Sequence, residues 1–204
     1  VDAEFFDANK DGFPDLFVIS GGNEYEDGNP NLVDRLYIND GKGHFIFSDN
    51  AVPEPLTNQS CIAVADVDKD GDSDLFIGTL ANAKKYGLPQ TLFLYINDGK
   101  GHFKKAGEPV CSLKDIGMVT SAAFADINND SWPDLIVTGE WMPVKIFINN
   151  KGKFTGKDID SSTGLWQTIY AADVNGDGYT DLLAGNWGHN TKLWAGKNGP
   201  LKLY

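Results

Sequence analysis

Asp7-Ala8-Asn9-Lys10-Asp11-Gly12-Phe13-Pro14-Asp15-Leu16 sets acidic or amide side chains at positions 1, 3, 5 and 9 of a short segment, with glycine at position 6. The same pattern returns as Asp66-Val67-Asp68-Lys69-Asp70-Gly71-Asp72-Ser73-Asp74-Leu75 and as Asp126-Ile127-Asn128-Asn129-Asp130-Ser131-Trp132-Pro133-Asp134-Leu135. A fourth copy is Asp173-Val174-Asn175-Gly176-Asp177-Gly178-Tyr179-Thr180-Asp181-Leu182. The leading aspartate advances by 59, 60 and 47 residues. A second segment keeps nearly the same beat: LYINDGKGHF from Leu36 to Phe45 and from Leu94 to Phe103, and KIFINNKGKF from Lys145 to Phe154. Two motifs in phase define a repeat of about sixty residues.

Between the motifs, apolar, β-branched and aromatic residues gather in short runs bounded by Gly, Asn, Asp and Pro, and no stretch has a helical period. In the second repeat this predicts strand A at Cys61 to Ala65, strand B at Asp74 to Thr79, strand C at Leu92 to Asn97 and strand D at Gly101 to Lys105. Asn97 to Gly101 and Asn39 to Gly43 supply residues that accept positive φ, so strands C and D form an antiparallel hairpin. Strand A is rich in small residues: Ala63 and Ala65, then Ala122, Ala123 and Ala125, then Ala171 and Ala172. Small side chains suit a crowded position such as the axis of a radial array.

The expected fold class is therefore all-β: four-stranded antiparallel blades of a β-propeller, a partial ring of about 3.5 to 4 blades. A β-solenoid or a row of small sandwiches is the rival, but solenoid coils are shorter and sandwiches need more strands per repeat. One repeat domain spans 1–204, with blades at roughly 1–50, 51–108, 109–160 and 161–204.

Seventeen Lys and Arg against 29 Asp and Glu give a net charge of -12, the wrong sign for holding nucleic acid or an anionic membrane. Nowhere do 18 apolar residues run together, so no transmembrane span is expected, and no leader is visible. Cys61 and Cys111 fit no metal or redox spacing and are read either as a bridge or as two inert thiols.

Oxygen-bearing side chains at alternate positions, a backbone carbonyl at position 7 and a later carboxylate are what Ca²⁺ requires of a loop that folds around it. Position 12, where an EF-hand needs glutamate, is Val18, Ile77, Val137 or Ala184, so these loops are not EF-hands. The alternative is that the Asp and Asn residues only build Asx-turns. Turns alone leave the repulsion among clustered carboxylates uncompensated, and three to four Ca²⁺ sites are expected. The positions carry 13 carboxylates, and four Ca²⁺ would move the formal charge from -12 to -4. Ser131, in place of glycine, requires the third loop to strain or adjust.

The loop, with Phe124-Ala125-Asp126 leading into one copy, resembles the FG-GAP, or VCBS, repeat of integrin α-subunit propellers and bacterial surface proteins. Gly139-Glu140-Trp141-Met142-Pro143, Gly185-Asn186-Trp187-Gly188-His189-Asn190 and Pro200-Leu201-Lys202-Leu203-Tyr204 are similar to segments of bacterial proteins related to cartilage acidic protein. The resemblance implies Ca²⁺ held by Asp7, Asn9, Asp11, the Phe13 carbonyl and Asp15 in the first loop, and by Asp66, Asp68, Asp70, the Asp72 carbonyl and Asp74 in the second. The third set is Asp126, Asn128, Asp130, the Trp132 carbonyl and Asp134, and the fourth Asp173, Asn175, Asp177, the Tyr179 carbonyl and Asp181. Propellers of the family have about seven blades, so the resemblance implies part of a longer protein, with an open edge that invites self-association. A closed four-bladed ring is the alternative.

Alternating strand direction puts the A–B loops and C–D hairpins at one end of each blade and the variable connections at the other: 21–34, 80–90, 140–143 and 186–190. Variable loops on a rigid scaffold are where binding residues sit. The candidates are Glu24, Tyr25, Glu140, Trp141, Trp187 and His189, with Tyr86 and Trp166 as further aromatics; packing between blades is the competing role for each tryptophan. His44 and His102 occupy identical hairpins and are read as structural.

The expected function is a non-enzymatic, Ca²⁺-stabilised module for protein or glycan interaction, extracellular, at the cell surface or periplasmic. The alternative is an accessory or catalytic propeller of an extracellular polysaccharide-degrading enzyme, with Glu24 and Glu140 as an acid–base pair. A purely structural blade array is the third reading.

Overall fold

The structure, a computed structural model, describes residues 2–49, 51–53, 56–107, 110 and 112–187. Among these, regular structure is all β apart from one 3-10 turn at Pro30–Leu32. Blade one is β1 (Ala3–Phe6), β2 (Asp15–Val18), β3 (Arg35–Asn39) and β4 (Phe45–Ser48); blade two is β5 (Gln59–Ala65), β6 (Asp74–Thr79), β7 (Phe93–Asn97) and β8 (Phe103–Lys105). Each is an antiparallel sheet in sequence order. Blade three is β9 (Met118–Ala125), β10 (Asp134–Met142), β11 (Lys145–Asn149) and β12 (Phe154–Asp158), and β13 (Gly164–Ala172) pairs with β14 (Asp181–Asn186) in the fourth.

The core lies between blades rather than within them. In β6, Leu75 and Ile77 point toward blade one, joining Phe17, Leu36 and Phe103. Phe76, between them, points the other way and joins Leu135, Val137 and Phe147 of blade three. In β10, Ile136 alternates in the same manner and packs with Ile146 and Ile169 toward the fourth unit. A strand buried on both faces needs no polar alternation, which is why these runs read as continuously apolar. Each of these fully buried Leu, Ile and Phe side chains contributes about 1.5 to 3 kcal/mol.

The alanine-rich strands β5, β9 and β13 are inner ones, in line with β1: β1 packs on β5, β5 on β9 and β9 on β13. Side chains tie them together, with Ser60 Oγ donating to the Val119 carbonyl at 2.6 Å and Thr120 Oγ1 to the Trp166 carbonyl at 2.9 Å.

Strand B of the second repeat falls where the sequence places it. Strand A begins two residues earlier, at Gln59, and strand C one residue later, at Phe93. Strand D does not begin at Gly101, because that residue sits at φ +79° inside the hairpin and pairing starts at Phe103. The stretch 140–143 is not a free loop either. β10 runs to Met142, and its last residues pair with β13 through Glu140 opposite Leu165 and Met142 opposite Gly164, with an irregularity between them. Cys61 is a buried free thiol, its pKa pushed up to about 12 by burial, while Cys111 lies outside the described residues.

Candidate functional site

The four A–B loops share one hydrogen-bond scheme. The position-1 carboxylate accepts from the position-6 amide: Asp7 from Gly12 N at 2.8 Å, Asp66 from Gly71 N at 3.0 Å, Asp126 from Ser131 N at 2.7 Å and Asp173 from Gly178 N at 2.8 Å. The position-5 carboxylate accepts from the position-7 amide in the same way, as Asp11 does from Phe13 N and Asp70 from Asp72 N, both at 2.9 Å. Ser131 adopts φ +71°, close to the +89° of Gly12 and Gly71, so the third loop keeps the common shape at the cost of a strained residue.

Position 9 is the keystone. Asp74 is fully buried; its Oδ2 accepts from Val67 N and its Oδ1 from Asn97 N, both at 2.9 Å. Asp15 and Asp134 do the same with Ala8 and Asn39, and with Ile127 and Asn149. Both oxygens of these aspartates are thus already committed to backbone donors that lock the loop to the C–D hairpin. The hairpin asparagine reaches further. Asn97 Nδ2 donates to the Ala8 carbonyl of the preceding blade at 2.9 Å, and Asn149 Nδ2 to the Val67 carbonyl at 2.8 Å. These asparagines end the repeated strand C motif and open the turn, and their recurrence is the signal in the sequence; the bond across blades has no signal of its own.

The second loop differs from the others in charge. In loops one, three and four the position-3 asparagine donates its amide to the position-5 carboxylate at 3.0 Å: Asn9 to Asp11, Asn128 to Asp130 and Asn175 to Asp177. Asp68 has no such donor to offer. Asp66, Asp68 and Asp74 bring carboxylate oxygens within 4.8 Å of one another, and Asp66 Oδ1 is buried without a hydrogen-bond partner. Burial, together with the charges of Asp68 and Asp70, pushes Asp74 up to about 7, against the backbone donors Asn97 and Val67. An orphaned buried oxygen among three carboxylates is a donor set that fits a hard divalent cation. Lys10 of the first loop supplies one neighbouring positive charge by pairing with Asp72. In the equivalent position one blade on, Lys69 lies over the Trp132 ring, 4.6 Å from its centroid.

At the opposite end, the structure brings Tyr86 of the second variable connection onto the adjacent Glu140 and Trp141 at the end of β10. Tyr86 Oη donates to Glu140 Oε2 at 2.5 Å, and Trp141 Nε1 donates to Tyr86 Oη at 3.1 Å. Gln167 Nε2 approaches Glu140 Oε1 at 3.5 Å. Desolvation and the Glu140 hydrogen bond raise the Tyr86 pKa above the usual phenol value. Trp141 sits at φ +62°, in the irregular segment between Glu140 and Met142, a conformation rare for a bulky side chain. Beside it opens a cleft of about 220 Å³, whose walls include Trp141, Met118, Met142 and Pro143, with Glu140 as its carboxylate.

The other candidates stand apart from this cluster. Tyr25 is 38% exposed in the first variable connection, and Glu24 makes no hydrogen bond or ion pair among the described residues. That connection is tied to the second by Asn82 Nδ2 donating to Asp27 Oδ2 at 2.6 Å and by the Lys84–Glu26 ion pair. Trp187 is 48% exposed, and its amide donates to the Leu165 carbonyl. Trp166 packs against the third core and donates to the Ser162 carbonyl, a packing role. His189 and the segment from Pro200 to Tyr204 lie outside the described residues. His44 and His102 bond to Asp40 and Asp98 within their hairpins, as identical turns require. Among the described residues no helix is long and apolar enough to cross a membrane.

No curated protein matches the chain. Among solved structures, the chain is similar to a lectin from Agrocybe aegerita described as recognising non-reducing terminal N-acetylglucosamine, at 18% identity and a TM-score of 0.54. The match covers 90% of this chain and 46% of the lectin, so the chain spans about half that neighbour's length, and at this identity the likeness is one of fold. The profile of the FG-GAP-like repeat matches residues 7–77, 81–137 and 126–184. These matches cover most of the sequence, in phase with the loops and blades described above, and the chain belongs to the FG-GAP-like repeat family.

Proposed function

We propose that this protein is a non-enzymatic binding module of an extracellular, cell-surface or periplasmic setting, stiffened by Ca²⁺ in its A–B loops and binding a glycan or a protein at the opposite face. The observation that carries the reading is Trp141, held at positive φ and hydrogen-bonded through Tyr86 to Glu140 beside an open cleft. Strain of this kind costs about 1 to 3 kcal/mol and persists where the surroundings fix a side chain for a purpose. An aromatic body with a carboxylate beside it suits a sugar ring or an interface anchor. The lectin neighbour supports a glycan as ligand only to the extent that the same fold serves one elsewhere.

In the second loop, Asp66, Asp68, Asp70 and Asp74 with the Asp72 carbonyl are the residues that would hold Ca²⁺, and the ion would supply the positive charge this cluster lacks. The other three sets would join it once their asparagine amides turn an oxygen inward. Calcium at the concentrations found outside cells fits weak loop sites of this kind. The enzyme alternative has less support, since glycoside hydrolysis requires two carboxylates flanking the bond and, among the described residues, the cleft is lined by one, Glu140. The test is a screen of immobilised glycans and surface proteins, with and without chelator, using the wild type and Trp141→Ala. Ligand capture lost in the variant supports the reading; capture unchanged in the variant, or turnover of a polysaccharide by the wild type, overturns it.

A further inference from the structure

The cluster beside Trp141 has an unequal stock of hydrogen-bonding groups. A tyrosine hydroxyl offers one proton, and Tyr86 gives its own to Glu140. An indole offers one, and Trp141 gives it to Tyr86. The Gln167 amide is turned toward Glu140, and Lys145, the cation on the cleft wall, is paired with Asp158 at 2.6 Å. Each of these groups spends a donor internally. Lys145 keeps two N–H and Gln167 one, but the Lys145 charge is offset by Asp158 while Glu140 faces no cation of its own among the described residues. What the cleft presents in excess is acceptor capacity and negative charge: the lone pairs of Glu140 and one on Tyr86, next to the indole face and the apolar Met118 and Met142.

We propose that the cleft takes a single neutral sugar ring, bound through its hydroxyl groups as donors and its C–H face on Trp141, and that it rejects uronic and sulfated sugars. This rests on the binding-face reading above. The volume of about 220 Å³ lies below the roughly 300 to 1,000 Å³ of sites that enclose drug-sized molecules, which matches one ring rather than a chain. An anionic sugar brings acceptors where acceptors already stand, beside an unneutralised carboxylate and on a protein of net charge -12. An unpaired charge or lone pair pressed against Glu140 discriminates by far more than the shape of the ring does.

Soluble neutral oligosaccharides (β-glucan and mannan hexamers) and uronate oligosaccharides are titrated calorimetrically into the Ca²⁺-equilibrated protein. The expected result is binding of a neutral oligomer, no binding of the uronates, and at least tenfold weaker neutral binding in Trp141→Ala. Two variants test the donor inventory without removing the ring. Glu140→Gln deletes the charge, and Tyr86→Phe frees the indole N–H, so each is expected to weaken neutral binding by removing an acceptor while admitting uronates that the wild type rejects. Circular dichroism and melting of each variant separate loss of the site from loss of the fold. Uronate binding by the wild type that depends on Trp141 overturns the proposed class and leaves the binding face standing. Absence of binding to every sugar, with protein ligands still captured through Trp141, overturns the sugar reading alone. Absence of any ligand at this face overturns both.

Discussion

Replacing Asp34 by asparagine isolates one buried titration from the many carboxylates of this chain. Asp34 stands where the first variable connection meets blade two, 9% exposed, with Oδ1 accepting from Ser20 N at 2.9 Å and Oδ2 from Gln59 Nε2 at 2.8 Å. Burial raises its pKa to about 6, with those two donors and Arg35 pulling the other way. Gln59 Oε1 is buried without a partner. A protonated Asp34 facing a turned Gln59 amide satisfies that oxygen, so the neutral form suits the site. The unfolded carboxyl titrates near 3.9, so between that value and about 6 the folded protein binds the extra proton. The stabilising contribution is complete below about pH 4 and is lost as pH rises through about 6. A gap of about two units corresponds to about 3 kcal/mol. The amide introduced by Asp34→Asn stays neutral at every pH and keeps the contacts, donating to Gln59 Oε1. Urea unfolding of wild type and Asp34→Asn, run in parallel from about pH 4.5 to about pH 7.5 at constant ionic strength, should show the variant gaining on the wild type as pH rises. The acidic loops titrate in both proteins and cancel. Parallel pH profiles for the two proteins would refute the reasoning.

Calcium affinity should rise with pH through about 7, because Asp74 must lose its proton for the second cluster to take a cation; calorimetry in buffers of different ionisation heat reads the proton released, and Asp68→Asn should weaken the second site toward the other three, which carry asparagine there. Ser131→Gly should stabilise the protein by about 1 kcal/mol by relieving the positive φ at that residue, and a melting temperature that falls would contradict the strain. Asn97→Ala should cost about 2 to 3 kcal/mol, since it strands the Ala8 and Ser73 carbonyls, while Asn39→Ala, whose Nδ2 donates only to the exposed Pro14 carbonyl and whose Oδ1 makes the same turn bond to Gly41 N that Asn97 makes to Gly99 N, should cost less than about 1 kcal/mol; chemical denaturation compares them. The outer face of blade one exposes Phe5, Phe45 and Phe47, whereas Phe103, which repeats Phe45 one blade on, is buried. Sedimentation of the 204-residue chain should therefore show concentration-dependent association that Phe45→Ser with Phe47→Ser reduces, and monomers at all concentrations would count against it.

Motifs in register made the blades legible: the aspartate loop and the Asn-Asp-Gly hairpin each carry their geometry in a few adjacent residues. Strand B of the second repeat was legible to the residue because Asp74 and Thr79 bound an unbroken apolar run. Gly101 misled, since the same glycine that closes a turn by positive φ postpones the strand after it. The spacing marks position 9 as an acidic residue but carries no sign that two backbone amides converge on it, one from its own loop and one from the hairpin about twenty residues on. The binding face was half legible. Glu140 and Trp141 stood out as unrepeated polar and aromatic residues, but their union with Tyr86 spans 54 and 55 positions and has no periodic signature. Gln167 carried no signal, being a lone glutamine in an inner strand. The extension of β10 was hidden because a strand overrun depends on what the next blade offers to pair with it.

The hydrogen bonds of Asn97 to Ala8 and of Asn149 to Val67 both run from a later blade to an earlier one. On the ribosome, each carbonyl is therefore already synthesised and its loop already formed when the asparagine that claims it emerges. The asparagine clamps have a direction that matches translation: each fastens a new blade to the neighbour made before it, whereas the Ser60 and Thr120 hydroxyls wait for carbonyls of the blade that follows. Vectorial assembly of this kind shortens the interval during which the apolar faces of β6 and β10 stand uncovered, the interval in which a repeat protein is most prone to pair with the wrong copy of itself.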